Sequence, residues 1–369
     1  MRKIQIAILA LCLSFGFSFT AYGLETSGYL ENQLQITDGD NLFDTNKLRL
    51  DFQVKESGYY MLVSVNALNG LMQGDISLQN ADLSDPNVLL SLENNLLELS
   101  RAYLELYPSW GKVTLGLQNI AWGNGYLFNL PDQFNPPNPL DPKGEKQGIN
   151  AISTKWNLNG TAQLEAVAVP AAKLSGTDYG VKARVNIGLF DISTFFLKRY
   201  NIPVNLSQPT IRFDRTAGVL EIKGELGDGL PGIWLQGGWF GDTNLATNST
   251  ENYFTYVTGS DYTFNVGNGL YCLAEYMRNT QIEANQVYFL TRYSPQGYLT
   301  FSLSGMRNNQ ADAAMYSLNS EYQLNDNIEI TGMYNVYPQG SSYFTMGNGT
   351  LQNNAGFTSQ IVIGVKTTF

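Results

Sequence analysis

The segment Asn46 to Lys55 reads "NKLRLDFQVK" and alternates without a break. On an extended chain, successive side chains point to opposite faces. Leu48, Leu50, Phe52 and Val54 then share one face, and Lys47, Arg49, Asp51, Gln53 and Lys55 share the other. Two environments accept such a strand. In a soluble sandwich the apolar face meets a core and the charged face meets bulk water. In a membrane barrel the apolar face meets lipid and the charged face lines an aqueous interior.

The same period of two recurs along the chain. "YGVKARVNIG" sets Val181, Ala183, Val185 and Ile187 against Lys182, Arg184 and Asn186. "YLTFSLSGM" and "IEITGMYNV" behave alike, starting at Tyr298 and Ile328. Short turns fall at Glu56 to Gly58, Pro108 to Lys112, Asn157 to Gly160, Asn265 to Gly269, Ser294 to Gly297 and Leu324 to Asn327. Longer polar segments lie between them: Asn69 to Asn95, Trp122 to Gly148, Tyr200 to Gln208, Gly241 to Asn252 and Pro338 to Gly356. Short turns on one rim and long loops on the other belong to an outer-membrane barrel, with the short turns periplasmic. The expectation is an all-β, antiparallel, up-and-down transmembrane barrel of about eighteen strands, with about sixteen as the alternative, each roughly ten residues long. An even number puts both termini on the periplasmic side. Thr210 to Leu226 is blurred, and Asn87 to Ser100, faintly helical, reads as a loop excursion.

Arg2 and Lys3, an apolar run from Ile4 to Phe19, and small residues at Ala21 and Gly23 form a secretory signal peptide. Residues 1–23 are therefore expected to be cleaved, leaving 24–369 as a single barrel domain. Lipoprotein processing at Cys12 is the runner-up. Beyond Gly23 no run approaches the roughly 20 apolar residues of a spanning helix, and Cys272 is the only cysteine, so no intrachain disulfide is expected. The chain has no histidine, which excludes Ser-His-Asp hydrolysis, His-ligated zinc and c-type haem attachment. No phosphate-binding glycine loop and no basic, aromatic-interleaved patch for nucleic acid appears. "TDGDN" at Thr37 to Asn41 lacks the downstream Glu of a calcium loop and reads as a hairpin turn. No enzyme activity, cofactor or metal is expected.

The chain ends "SQIVIGVKTTF", with Ile361, Ile363, Val365 and Thr367 on the face of the terminal Phe369. This strand resembles the assembly signal of Gram-negative outer-membrane barrels, which implies the barrel assembly machinery as a partner; Thr367 stands where an aromatic residue is common. "RAYLEL" (Arg101 to Leu106) and "GLQNIAWGNGYLFNLPDQFNP" (Gly116 to Pro136) resemble the porin-like superfamily of such barrels. The nearest branch carries a Gly-x-Gln-x-x-x-Trp-Gly strand end and an Asp-x-x-Asn-Pro loop. "VTGSDYTF" (Val257 to Phe264) and "AEY" (Ala274 to Tyr276) add a second match, common among barrels. The resemblance implies an integral protein of the bacterial outer membrane, in contact with its lipid and lipopolysaccharide. It implies no established substrate. Whether the protein forms a homo-oligomer stays open.

The Trp122 to Gly148 loop holds five prolines, which lack an N–H and stiffen it. One reading folds it into the lumen, with Asp132, Asp141 and Glu145 lining a constriction beside Lys143 and Lys146. The other makes it a rigid lid on the mouth. Lumen-lining residues are expected to be Lys47, Arg49, Asp51, Lys55, Arg101, Glu105, Gln118, Lys182, Arg184 and Arg292, with Glu275 and others inward too. An excess of acid is expected in the outer loops, at Asp38, Asp40, Asp44, Asp75, Asp82, Asp85, Glu93, Asp242, Glu251 and Asp312. Such a mouth would enrich cations. The leading expectation is a passive channel for small hydrophilic solutes, with a narrower variant in which the Trp122 to Gly148 loop selects the substrate. The alternatives are a non-conducting structural barrel or adhesin, and a polysaccharide export channel.

Overall fold

The computed structural model describes residues 23–38, 42–73, 97–135, 146, 148–203, 212–227, 229–310, 313–338, 343–346, 349–352 and 358–369. The first strands are β1 (Leu24–Thr37), β2 (Leu42–Lys55), β3 (Tyr59–Gln73), β4 (Leu97–Leu106), β5 (Gly111–Gln118), β6 (Ile149–Asn157) and β7 (Ala162–Val169). Next come β8 (Asp178–Ile187), β9 (Phe190–Pro203), β10 (Arg212–Glu225), β11 (Gly232–Asn244), β12 (Thr250–Phe264) and β13 (Leu270–Asn279). The chain ends with β14 (Ala284–Gln296), β15 (Leu299–Asn308), β16 (Ala313–Asn325), β17 (Ile328–Val336), β18 (Tyr343–Met346), β19 (Gly349–Gln352) and β20 (Ser359–Thr368).

Eighteen of these strands form one antiparallel sheet in which each pairs with its neighbour in sequence. β18 and β19 form a separate hairpin between β17 and β20. β20 pairs with β17 on one side and with β1 on the other, so the sheet closes into a barrel. Reciprocal bonds of 3.0 Å between Gly28 and Phe369 finish the seam. Closure leaves no edge strand, and only helices or closed barrels satisfy every backbone polar group in lipid.

Register sorts the two faces. Glu31 pairs with Lys47 and Lys366, whereas Leu30 pairs with Leu48 and Thr367. The first set lies on the inner face and the second on the outer. The outer face carries large exposed apolar groups around the ring, among them Val181, Phe196, Leu220, Leu235, Leu303, Leu318 and Ile363. Leu48, Leu50, Phe52 and Val54 lie on that face, paired with Ala67, Val65, Val63 and Met61.

Several connections differ from the alternation read in the sequence. β11 and β12 run to Asn244 and from Thr250, so Asp242 and Glu251 are strand residues rather than parts of a long loop. Asp44 likewise lies within β2. The connections at 280–283 and 309–312 are short although they sit on the far rim from the termini. A longer connection at 170–177, with a turn of 3₁₀ helix at Leu174–Gly176, was not anticipated. The blurred Thr210 to Leu226 stretch contains β10, where inward Ala217 and Val219 alternate with outward Leu220 and Ile222. A strand with apolar residues on both faces loses its period-2 signal. Residues 1–22 and 74–96, which hold Cys12 and most of the expected loop excursion, lie outside the described residues.

Candidate constriction site

After Gln118 the chain leaves the wall, and residues 119–135 fold into the barrel. This part of the Trp122 to Gly148 loop is therefore an insert in the lumen and not a lid. Its apolar side chains drive the placement. Ile120, Trp122, Leu127, Phe128, Leu130 and Phe134 are all buried, Phe128 to 1 %. They pack on inward residues of the wall, including Val167, Phe195, Leu197, Val219, Trp234, Leu273 and Tyr288. Trp122 meets Phe134 edge to face at 5.6 Å and lies over Gly180 of β8, where an added Cβ would come within 2.7 Å of the indole. Burial of aromatic groups of this size contributes on the order of 2–3 kcal/mol each.

A buried loop must also find acceptors for its backbone N–H groups. Two carboxylates of the opposite wall supply them. Glu275 accepts from the backbone nitrogens of Tyr126, Leu127 and Phe128 at 2.6, 2.7 and 3.1 Å, and from Trp234 Nε1 at 3.0 Å. Glu221 accepts from the Asn124 backbone at 2.8 Å, from its Nδ2 at 2.7 Å and from Gln236 Nε2 at 2.6 Å. Gln236 Oε1 accepts from the Leu130 nitrogen at 2.9 Å. The Trp234 indole lies where a Cβ on Gly259 would clash with it, so the glycine leaves it room beside Glu275. On the near wall, Trp122 Nε1 donates to Glu165 at 3.1 Å. Above the insert, Arg215 forms a bidentate pair with Asp242, both bonds at 2.7 Å, and donates to Gln133 Oε1 at 2.9 Å. Arg199 pairs with Asp178 at 3.1 Å and donates to the Gln133 carbonyl. Within the insert, Asn135 Oδ1 accepts from the Ile120 nitrogen at 2.8 Å.

Asp132 belongs to this packed insert rather than to an aqueous surface; it is almost fully buried beside Lys146. Burial raises its pKa to about 6 despite the ammonium. Asp141, Lys143 and Glu145 lie outside the described residues.

The other expected residues are placed on the inner face by register. Arg49 pairs with Asp51 at 2.8 Å and Lys47 sits over the Tyr29 ring at 5.4 Å. Lys112 pairs with Glu105 at 2.6 Å. Lys182 and Lys155 each lie 3.7 Å from Glu165, and Arg184 pairs with Asp191 at 2.6 Å. Arg101, Glu105 and Gln118 come together around a cavity of about 270 Å³ below the insert, with Lys112, Lys155 and Glu165. Gln118 itself is buried, tied to the Ala151 carbonyl at 2.8 Å and to Ser153 Oγ at 2.6 Å. A second space of about 320 Å³ at the lower rim shares Glu105 and adds Lys55, Tyr60 and Tyr107. Arg292 stands apart on β14. Asp242, expected in an outer loop, is a half-buried strand residue paired with the buried Arg215.

The anchors Glu221, Gln236, Arg199 and Arg215 were not singled out from sequence. A signal exists: Glu221, Gln236 and Glu275 each follow an apolar inward residue at the i−2 position, Val219, Trp234 and Leu273. An acid in a water-filled lumen has no need of such neighbours; one that accepts buried N–H groups does.

The closed barrel, its apolar outer belt and its in-folded loop define an eighteen-stranded transmembrane β-barrel with an insert in its lumen. The chain is similar in fold to OccK11 (OpdR) of Pseudomonas aeruginosa, with a TM-score of 0.59 at 10% identity over 94% of this chain and 96% of that one. OmpT of Vibrio cholerae in its trimer form gives 0.48 at 11% identity, over 94% and 99%. A Rhodopseudomonas blastica porin variant gives 0.44 at 11%, over 94% and 100%. No protein-family model and no curated protein sequence matches the chain.

Proposed function

We propose that the protein is a passive channel of the bacterial outer membrane for small hydrophilic solutes, made selective by the insert at 119–135. Both termini face the periplasm in this reading, and the barrel follows removal of a signal peptide at residues 1–23. The observation that carries it is the division of the lumen. The insert fills the side of β8 to β14, held by Glu221, Gln236 and Glu275. The charged wall of β2 to β7 keeps open space, lined by Arg101, Glu105, Lys112 and Lys155 and, nearer the lower rim, by Lys55 and Glu105. A solute passing there meets ion-paired groups of both signs, which suits hydrated polar molecules.

The same packing supports the alternative of a non-conducting barrel, because an insert with core-like burial narrows the lumen. Conductance of the refolded barrel in a planar bilayer separates the two. The channel reading expects small, stable steps in the unaltered protein and larger steps in the Glu221→Gln, Glu275→Gln double variant. A barrel silent in both forms sinks the channel reading.

A further inference from the structure

The outer face of a membrane barrel is where charge is least welcome; a lysine or arginine at the bilayer midplane costs about 2–4 kcal/mol. Register nevertheless turns four cations outward among the described strand residues: Lys198 on β9, Arg212 on β10, Arg278 on β13 and Arg307 on β15. Their distribution is one-sided. Arg212 is the first residue of β10, and Arg278 and Arg307 are each one residue from the end of their strands, all on the rim away from the chain termini. The outward positions of the opposite rim carry no Lys, Arg, Asp or Glu among the described strand residues. Asp44 on β2 and Asp214 on β10 also face outward on the rim away from the chain termini, but the outward positions of β13 to β15 carry Arg278 and Arg307 and no Asp or Glu.

Arg278 and Arg307 frame a small built patch. Arg278 pairs across with Asn285 and with Tyr256, and Arg307 pairs with Val287, itself opposite Tyr276. The two arginines flank β14, two strand spacings or about 10 Å apart across the sheet and two residues or about 7 Å apart along it. Two guanidinium groups on side chains of this length reach a common anion. Tyr276 donates its hydroxyl to Asn285 Oδ1 at 2.9 Å, which fixes the amide and leaves its nitrogen as a donor on the same face. Tyr256 and Tyr276, with ring centroids 5.9 Å apart, place amphipathic aromatics beside it, as at a membrane interface. Both arginines are exposed.

We propose that Arg278, Arg307 and Asn285 form a binding site for the phosphate of an anionic glycolipid headgroup, and that this rim lies in the phosphate-bearing outer leaflet. Guanidinium–phosphate contacts are charge-assisted and bidentate, and Arg suits them better than Lys. The site is on the lipid face, so it is independent of whether the lumen conducts.

The test uses the refolded full chain in uncharged detergent, titrated with diphosphoryl lipid A and, in parallel, with its dephosphorylated form, and read by native mass spectrometry. The expected result is preferential retention of the phosphorylated form. Arg278→Gln and Arg307→Gln each weaken it about fivefold, and the pair about thirtyfold. Lys155→Gln, an inward cation, leaves it unchanged. Free inorganic phosphate is not expected to compete, because the lipid chains hold the headgroup at the rim. Equal binding of the two lipid forms, or equal binding by the double variant and the unaltered chain, overturns the proposal. Heat-modifiable migration on electrophoresis confirms that each variant is folded, and unchanged bilayer conductance in the double variant keeps this outcome separate from the channel reading.

Discussion

On β2 to β8 the inward positions hold Lys47, Arg49, Asp51, Arg101, Glu105, Lys182 and Arg184, whereas on β10 to β13 they hold Ala217, Val219, Trp234, Phe240, Val257, Leu273 and Met277. Both walls obey the same alternation, and both turn apolar groups outward. They differ in what they face. The charged wall faces water and satisfies itself with cross-strand ion pairs. The apolar wall faces the insert, and Glu221, Gln236 and Glu275 among its polar groups accept from the insert's backbone. Lower on those same strands, beyond the insert, the inward residues revert to Lys223, Glu225 and Asp261. The composition of an inner wall thus records its neighbour strand by strand and level by level.

The comparison breaks most visibly at Glu275. In Glu275→Ala, three backbone N–H groups and the Trp234 indole lose their acceptor while still buried. Each unsatisfied donor costs roughly 1–3 kcal/mol, so the insert is expected to leave its seat while the barrel ladder persists. Protease cleavage within 119–135 and enlarged conductance steps are the measurements; an insert as protected as before would show that the carboxylate does not hold it. Next in size is Trp122→Ala, which removes the ring lying over Gly180 and opens a cavity. A loss of about 3–5 kcal/mol is expected in thermal or denaturant unfolding of the refolded protein. A loss below about 1 kcal/mol would mean that the ring's packing contributes little.

A third test is pH. The carboxyl of Asp132 binds its proton more tightly in the folded insert, with a pKa of about 6, than its ordinary value of 3.8. The stability it contributes is therefore present in full below about pH 4 and is lost as pH rises through about 6, by on the order of 1–3 kcal/mol. Insert release, followed by conductance, should increase from pH 5 to pH 7 in the unaltered protein, and Asp132→Asn should flatten that dependence. The opposite slope would remove Asp132 as its source. The smallest effect is expected on the charged wall. Lys155→Gln, in a partly exposed pair with Glu165, should change stability by less than about 1 kcal/mol while shifting the reversal potential in a salt gradient toward cations. A large stability loss there would contradict a solvated wall.

Much of the barrel was legible residue by residue. The face assigned to Leu48 and to Arg49 follows from spacing alone, because a strand's two faces are a local property of the extended backbone. The strand count followed from the recurrence of that spacing. β10 was blurred because its two faces are both apolar where the insert covers it. The site was less legible. The prolines and the Trp-Gly segment marked the right loop, but Asp132 was taken as a pore lining when it is packed against Lys146, and Asp242 was taken as a mouth residue when it pairs with Arg215.

By itself, then, the amino-acid sequence determined which residues could face lipid, since alternation and the cost of charge in a bilayer act on each strand separately. It also marked the loop after β5 as the distinctive one, through its prolines and the Trp122–Gly123 step, and left both an insert and a lid open for it. Only the tertiary structure decided where that loop went. The contact of Asn124 with Glu221 spans 97 residues and that of Tyr126 with Glu275 spans 149. Those distances collapse only when the sheet curves round and β20 meets β1, and no local pattern encodes which strands then stand opposite the end of β5.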